Sequence, residues 1–319
     1  MAVNLDKPHL WKEDSRRSVD QYNQWFLSFA PLTYRNTRIE VTKDVEAMLS
    51  RTNNLRNITP DELKSHPQIL PALRMCTAPP LARDRLVGLA GISKSLVNTM
   101  EKNKSIPPRM LEMKLHEELG KIAAMIMRLA DIDIFPWLEK RRDPIPEEIY
   151  RGSTIVADRL CGAQSDPIIR NAQEQRQLAE LKRWLEARGY KNVTGRTTVA
   201  TIKPGSFAFR LNVPGVGTEV DGVSINIPID AVVMPKNAKF KTLPILIEAK
   251  SAGDFTNVNK RRKEEATKIA QLRRKHGLQV RFILFLCGYF DSGYLGYEAA
   301  EGIDWVWEHR VNDLTQFGL

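Results

Sequence analysis

The chain has 319 residues, of which 42% are hydrophobic and 27% charged, proportions typical of a soluble globular protein with room for two domains. The net charge of +10 fits a polyanionic partner, although many basic proteins bind no nucleic acid. No window approaches the roughly eighteen uncharged apolar residues of a membrane span, and the N-terminal residues do not have the pattern of a secretory signal.

Cysteine and histidine usage argues against a disulfide frame or a zinc site. The three cysteines, Cys76, Cys161 and Cys287, are far apart and odd in number, and the five histidines show no metal spacing. We therefore expect buried thiols in a reducing, cytoplasmic protein.

Residues 1–150 are predicted to form a mainly helical domain. Apolar residues recur at helical spacing in 18–29, 42–49 and 110–129, and Thr59-Pro60 has the pattern of a helix start. Prolines cluster between these segments. The pattern changes after Pro146, which places a domain boundary near residue 150 and a second domain over 151–319.

A helix-turn-helix is predicted at 82–102. Leu86 belongs to the first helix, Gly91 is the turn, and Ser93 caps the second helix. In a DNA-reading arrangement the residues facing the major groove would be Ser93, Lys94, Ser95 and Asn98. The alternative is an ordinary helical hairpin.

The second half of the chain mixes helices and strands. We predict helices at 166–188 and 259–276, and strands at 191–203, 207–213, 223–234, 243–250 and 280–287, with a glycine-rich turn at 214–217. Strand, helix and strand in sequence imply a right-handed crossover between parallel neighbours. The sum is an α/β fold with a mixed central sheet.

Charged residues end two of these apolar runs, Asp230 the first and Glu248-Ala249-Lys250 the second. Residues i and i+2 of a strand share a face, so Glu248 and Lys250 point the same way, and Asp230 can reach them. The two carboxylates and the Ala249 carbonyl are hard oxygen ligands suited to Mg²⁺. Such an ion would hold a scissile phosphate and lower the pKa of an attacking water, while Lys250 orients that water.

The alternative is a chance match, with Glu248 and Lys250 on a solvated strand face and Asp230 in a turn. The apolar flanks argue against a solvated face. Asp221 is a rival for the first acid, but Asp221-Gly222 is a turn signal.

Two further groups of residues are candidates. Glu174 lies on the apolar stripe of its helix, four residues before Leu178, so we expect the metal site or Arg170 as its partner. Four cations open the basic helix, against the dipole preference, and are candidates for phosphate contacts: Lys260, Arg261, Arg262 and Lys263. Cations 273–275 suit the helix C-terminus.

Five segments together resemble type II restriction endonucleases of the PD-(D/E)XK superfamily, in particular the XamI-like group. They are 166–176 (DPIIRNAQEQR), 184–190 (WLEARGY), 227–230 (IPID), 247–250 (IEAK) and 293–305 (GYLGYEAAEGIDW). The resemblance is specific over 166–314 and looser before it. One departure is Ile229, which stands where the name-giving proline would be.

The resemblance implies a PD-(D/E)XK nuclease core and Mg²⁺-dependent hydrolysis of double-stranded DNA at a short palindrome, usually by a homodimer. By position, Asp230, Glu248 and Lys250 carry the motif, and Glu174 matches the acid of the first helix. It also implies a bacterial or archaeal cytoplasm and a cognate DNA methyltransferase that protects the host. Alternatives are a DNA repair or junction nuclease on the same core, or a non-catalytic DNA-binding regulator.

Overall fold

The computed structural model describes residues 2–217, 224–239, 242–255 and 258–319, with the backbone alone for 258–262. The chain folds into two compact units, Ala30–Ile169 and the combination of Met1–Phe29 with Arg170–Leu319. None of the helices in these described ranges is long and apolar enough to cross a membrane.

The helices before the sheet follow one another with short connections. Their bounds are α1 Pro8–Arg51, α2 Pro60–Ser65, α3 Leu70–Met75, α4 Arg83–Ala90, α5 Lys94–Asn103, α6 Glu112–Arg128, α7 Pro136–Lys140 and α8 Pro146–Ala187. The predicted cap of α2 is confirmed, since the side chain of Thr59 accepts a hydrogen bond from the Glu62 amide. Unit Ala30–Ile169 has its own apolar core, which includes Met48, Leu73, Leu119 and Trp137.

Helices α4 and α5 have the predicted local structure of a helix-turn-helix. Gly91 ends α4 at φ 59°, a left-handed conformation that glycine adopts without strain. Ser93 then caps α5, and its hydroxyl accepts a hydrogen bond from the Leu96 amide. The predicted core residues are buried: Leu86, Ile92, Leu96, Val97 and Met100.

The second unit is built on a mixed sheet. Its strands are β1 Lys191–Asn192, β2 Ser206–Val216, β3 Ser224–Met234, β4 Ile245–Ala252, β5 Arg281–Gly288 and β6 Asp304–Trp307. They lie in sequence order across the sheet; β2, β3 and β4 pair antiparallel, and β1–β2, β4–β5 and β5–β6 pair parallel. Helices α9 Val258–His276 and α10 Ser292–Ala300 complete the unit. The predictions of a mixed sheet and of a parallel crossover through α9 are confirmed.

Successive side chains of each strand point to opposite faces of the sheet, and both faces are buried. Ile245 and Ile247 of β4 pack in one apolar cluster with Leu181 and Trp184 of α8. Leu246 belongs to the opposite cluster, which contains residues of α9 and α10. Side chains at even positions of β4 therefore face α9, and this register decides where Glu248 and Lys250 point.

Some predicted bounds are wrong. The helix predicted to start at Asp166 continues from Pro146, with Pro167 inside it, although it ends as predicted before Gly189, which has φ 74°. The strand predicted over 191–203 is too long, because β1 consists of only two residues of that range. Pro214 and Gly215, predicted as a turn, lie inside β2, because the antiparallel pairing with β3 continues to Val216.

The predicted boundary near residue 150 lies inside α8, about twenty residues before the border of the two units. The residues up to Phe29 belong to the same unit as the sheet. That residues 1–150 recognise DNA and residues 151–319 cleave it stays a prediction. All three cysteines are free and buried, as expected.

Candidate active site

Asp230, Glu248 and Lys250 meet where β3 and β4 diverge. Pairing of β3 with β4 runs from Val233–Ile245 to Ala231–Ile247, and Asp230 and Glu248 follow at the next step of that register. There the strands stop pairing through their backbones. Instead, Asp230 Oδ2 accepts a hydrogen bond of 2.9 Å from the Ala249 amide. The side chain of Asp230 thus replaces a backbone acceptor where the two strands diverge.

The surroundings of Asp230 compensate the negative charge of its carboxylate poorly. Burial, followed by the nearby charge of Glu248, raises its pKa from 3.8 to about 6. The Ala249 amide and Lys250 act in the opposite direction but do not outweigh burial. A cation beside this carboxylate would favour its ionised form and oppose the shift.

Glu248 is buried, with 4% of its surface exposed, and its two oxygens differ. Oε1 forms ion pairs with Lys268 of α9 and, at 3.3 Å, with Lys250. Oε2 is buried and has no hydrogen-bond partner in the described part of the chain. An unpartnered buried carboxylate oxygen is costly, so this atom is suited to receive a further cation.

Lys250 is held on its other side by a buried polar network. Its ammonium lies 3.4 Å from Oε1 of Glu265, a residue of α9 with no exposed surface. Glu265 Oε2 accepts a hydrogen bond of 2.8 Å from the hydroxyl of Tyr294 in α10. Burial lowers the pKa of Lys250, but the charges of Glu248 and Glu265 outweigh it, and the pKa is raised overall. Lys250 is therefore a protonated, oriented ammonium.

The donor set fits a hard divalent cation held by few protein ligands. Within the described ranges no group of three or more His, Cys, Asp or Glu side chains forms a metal cluster. Two carboxylates, Asp230 and Glu248, remain, with the Ala249 carbonyl as a third candidate. Mg²⁺ is commonly bound through one or two carboxylates, with waters and substrate phosphate as its other ligands. Because Oε2 of Glu248 is free to coordinate an ion, a cation of the Mg²⁺ kind fits the site.

Glu174 pairs with an arginine other than Arg170, which was the competing partner predicted from the sequence. Its Oε1 accepts a hydrogen bond of 2.7 Å from Arg210 Nη2 of β2, and 40% of its side chain is exposed. Its charge also contributes to the raised pKa of Asp230, so Glu174 lies within electrostatic reach of the site. The expected position near the acids agrees with the structure and the alternative of a pair with Arg170 does not, while a role of Glu174 at a metal stays a prediction.

Arg210 has an unusual backbone for a strand residue. Its φ is 54°, in the left-handed region, which costs a non-glycine residue about 1–2 kcal/mol. The register of β2 with β3 passes from Phe209–Ala231 to Leu211–Ile229, so the interrupted step places Arg210 opposite Asp230. Strain of this kind is concentrated at functional sites.

Sequence reasoning missed Lys268, Glu265 and Arg210. Glu265 precedes the buried residues Ile269 and Leu272 by four and seven positions, so it lies on the apolar stripe of α9. The same signal singled out Glu174 on its helix and would have found Glu265. Arg210 had no comparable signal, because a left-handed arginine in a strand leaves no mark in the sequence.

The predicted groove-facing residues of α5 lie at its N-terminal end. Lys94 and Ser95 are exposed, while Ser93 and Asn98 are half-buried. Lys94 forms an ion pair of 3.1 Å with Asp84 of α4, and the Ser93 amide donates to Glu118 of α6. Ser93 therefore has a structural task, and a DNA contact by these residues stays a prediction.

Of the predicted phosphate contacts on α9, Lys263 is exposed. The side chains of Lys260, Arg261 and Arg262 lie outside the described residues, as does Asp221, the rival first acid. At the other end of the helix, Arg273 donates to the carbonyls of Glu301 and Gly302.

The geometry defines a class, an α/β protein with two acids and a lysine brought together by neighbouring strands. Comparison with known proteins narrows this class. The sequence pattern described as XamI restriction endonuclease matches residues 53–307. The chain is 54% identical over 318 residues to the type II restriction enzyme SalI of Streptomyces albus G, covering 99% of each chain. A solved structure of protein VC1899 from Vibrio cholerae aligns with 87% of this chain and 56% of its own, at 13% identity. The TM-score of this alignment, 0.30, is too low to indicate a shared fold.

The chain belongs to the XamI restriction endonuclease family. It is a type II restriction endonuclease, that is, a sequence-specific deoxyribonuclease. The predicted family and class of enzyme are thereby confirmed.

Proposed function

We propose that this endonuclease hydrolyses both strands of DNA at a PD-(D/E)XK site made of Asp230, Glu248 and Lys250, with Mg²⁺ as cofactor. The observation that carries the proposal is the pair of buried carboxylates, one with a raised pKa and the other with an unpartnered oxygen, beside an oriented ammonium. A bound cation would satisfy this oxygen, for which the described residues provide no hydrogen-bond partner.

Asp230 and Glu248 would hold the cation, with the Ala249 carbonyl as a further ligand. When bound there, the ion supplies Lewis acidity at the scissile phosphate. Lys250, with its ammonium fixed by Glu248 and Glu265, faces the same space and stabilises charge that develops on phosphorus. It also orients the attacking water. Lys268 pairs with Oε1 of Glu248 and so determines which of its two oxygens is left for the cation.

We further propose that residues 1–150 carry DNA recognition, with α4 and α5 as the reading element and 151–319 as the nuclease domain. Ser93, Lys94, Ser95 and Asn98 would face the major groove, and Lys260 to Lys263 would contact phosphates. Cutting both strands of a palindrome favours a homodimer, because a two-fold axis matches the symmetry of the site. A methyltransferase of the same specificity would protect the host.

Digestion of a sequenced plasmid tests the proposal. With Mg²⁺ the enzyme should give discrete fragments whose mapped ends share one short palindrome, and chelation with EDTA should stop cutting. Smears or structure-dependent nicks would instead indicate a repair or junction nuclease. Tight binding with no Mg²⁺-stimulated hydrolysis would indicate a regulator.

A further inference from the structure

We propose that Arg210 binds a backbone phosphate of the DNA strand being cut, and that Glu174 holds its guanidinium until DNA arrives. The inference rests on the proposed function, since it places the scissile strand beside Asp230. It adds a binding residue outside the acid and lysine motif.

The position of Arg210 is the first support. It lies opposite Asp230 across β2 and β3, at a step where regular pairing is interrupted. On a regular strand the two side chains would share a face. The left-handed backbone, with φ 54°, instead takes the guanidinium to Glu174 on α8.

The Glu174 pair does not account for this conformation. The side chains of Arg210 and Glu174 are 56% and 40% exposed, and ion pairs this exposed contribute little to stability. A strained backbone conformation that only a weak ion pair accompanies is typical of a residue with a functional role. An exposed guanidinium at the edge of a nuclease site is suited to a phosphate, which it can bind through two parallel hydrogen bonds.

The charge around the site gives the second support. The proposed cation would offset Asp230 and Glu248, but Glu174 adds a further carboxylate that repels an approaching phosphate. Lys250 and Lys268 are already paired with buried acids. Transfer of Arg210 from Glu174 to the phosphate supplies an exposed positive charge and releases Glu174 toward the site.

The experiment uses the full-length enzyme and a duplex containing the site mapped by plasmid digestion. Binding is measured in Ca²⁺ over a series of salt concentrations, and single-turnover cleavage in Mg²⁺, for Arg210→Ala, Arg210→Lys and Arg210→Gly. We expect Arg210→Ala to weaken binding about tenfold and to reduce the slope of log affinity against log salt by about one. Cleavage should slow at least as much. Arg210→Lys should keep the slope, because it keeps the charge.

Stability separates a binding role from a folding role. Glycine adopts φ 54° without strain, so Arg210→Gly should melt about 2–4 °C above Arg210→Ala yet show the same loss of binding. Arg183→Ala is the matched control, since Arg183 is an exposed arginine of α8 that pairs with Glu180. It should leave affinity and cleavage unchanged.

A wild-type salt slope and wild-type cleavage in Arg210→Ala would overturn the inference. The proposed function fails separately, if Asp230→Ala and Lys250→Ala still cut with Mg²⁺. Inactive Asp230→Ala beside fully active Arg210→Ala would therefore reject this inference alone.

Discussion

At the scale of single residues, the candidate site is a set of buried charges that are incompletely balanced. Glu248 and Glu265 are almost fully buried, and each lies beside Lys250. Buried ions of this kind cost free energy unless they are paired, and replacing them by apolar residues is often neutral or stabilising. We infer that these charges are retained for chemistry, and this makes two predictions about stability.

The first concerns Asp230 in the enzyme freed of metal with EDTA. Its folded-state pKa of about 6 lies above the ordinary 3.8, so the fold favours the protonated acid. The stabilisation from that proton is present at low pH and is lost as pH rises through about 6. Asp230→Asn should therefore be more stable than wild type at about pH 8, by on the order of 2 kcal/mol, with the gap closing toward pH 4. Urea unfolding at several pH values measures this gap. Asp20→Asn, at an exposed acid of α1, is the control.

The second concerns Lys268, whose ammonium pairs with Glu248. Lys268→Met leaves that buried carboxylate with less compensation, and we expect a loss of about 1–3 kcal/mol in the free energy of unfolding. In a double-mutant cycle, Glu248→Gln should recover most of the loss. Purely additive effects of the two substitutions would contradict the pairing. Lys275→Met, at the exposed end of the same helix, is the control.

At the scale of elements, helix starts, turns and strand phase were predictable because they depend on local chemistry. The caps at Thr59 and Ser93, the left-handed Gly91 and the facing of Glu248 with Lys250 are all as expected. Errors occurred where tertiary pairing overrides local signals. Pairing with β3 extends β2 through Pro214 and Gly215, and α8 continues through Pro167.

The cap of α5 gives a prediction that separates structural from DNA-facing residues. Because the Ser93 hydroxyl accepts a hydrogen bond from the Leu96 amide and caps the helix, Ser93→Ala should cost about 1 kcal/mol of stability. Lys94→Ala, at an exposed residue of the same turn, should change stability by less than about 0.5 kcal/mol. If the element reads DNA, Lys94→Ala should weaken binding. Equal thermal stability of the two variants would contradict the capping role.

The junction of β4 and β5 gives a further prediction. Gly288 has φ 102°, and a Cβ there would collide with the carbonyl oxygen of Ala252. Gly288→Ala should therefore lower the free energy of unfolding by about 2 kcal/mol or more, since backbone must shift at the end of β5. Gly162→Ala is the matched control, because a Cβ at Gly162 meets nothing within 4 Å and alanine favours the helix. Denaturant unfolding of both variants checks this.

At the scale of the whole molecule, two parts of the chain have separate apolar cores, and the acids and lysine lie in the unit that contains the sheet. The acid and lysine motif could be located from sequence because residues i and i+2 of a strand share a face. Lys268 and Arg210 could not, since they reach the site only through packing of α9 and β2. Glu265 could have been found, because it lies on the apolar stripe of α9. Family membership connects this arrangement to a restriction endonuclease.

The most direct measurement is single-turnover cleavage of the mapped duplex by Asp230→Ala and Lys250→Ala, with binding of the same duplex measured in Ca²⁺. Both variants should lose Mg²⁺-dependent cleavage by several orders of magnitude, because each removes a group that acts on the reacting phosphate. Binding of the duplex should survive. Mg²⁺-dependent cutting at the wild-type rate by either variant would contradict the assignment of this site.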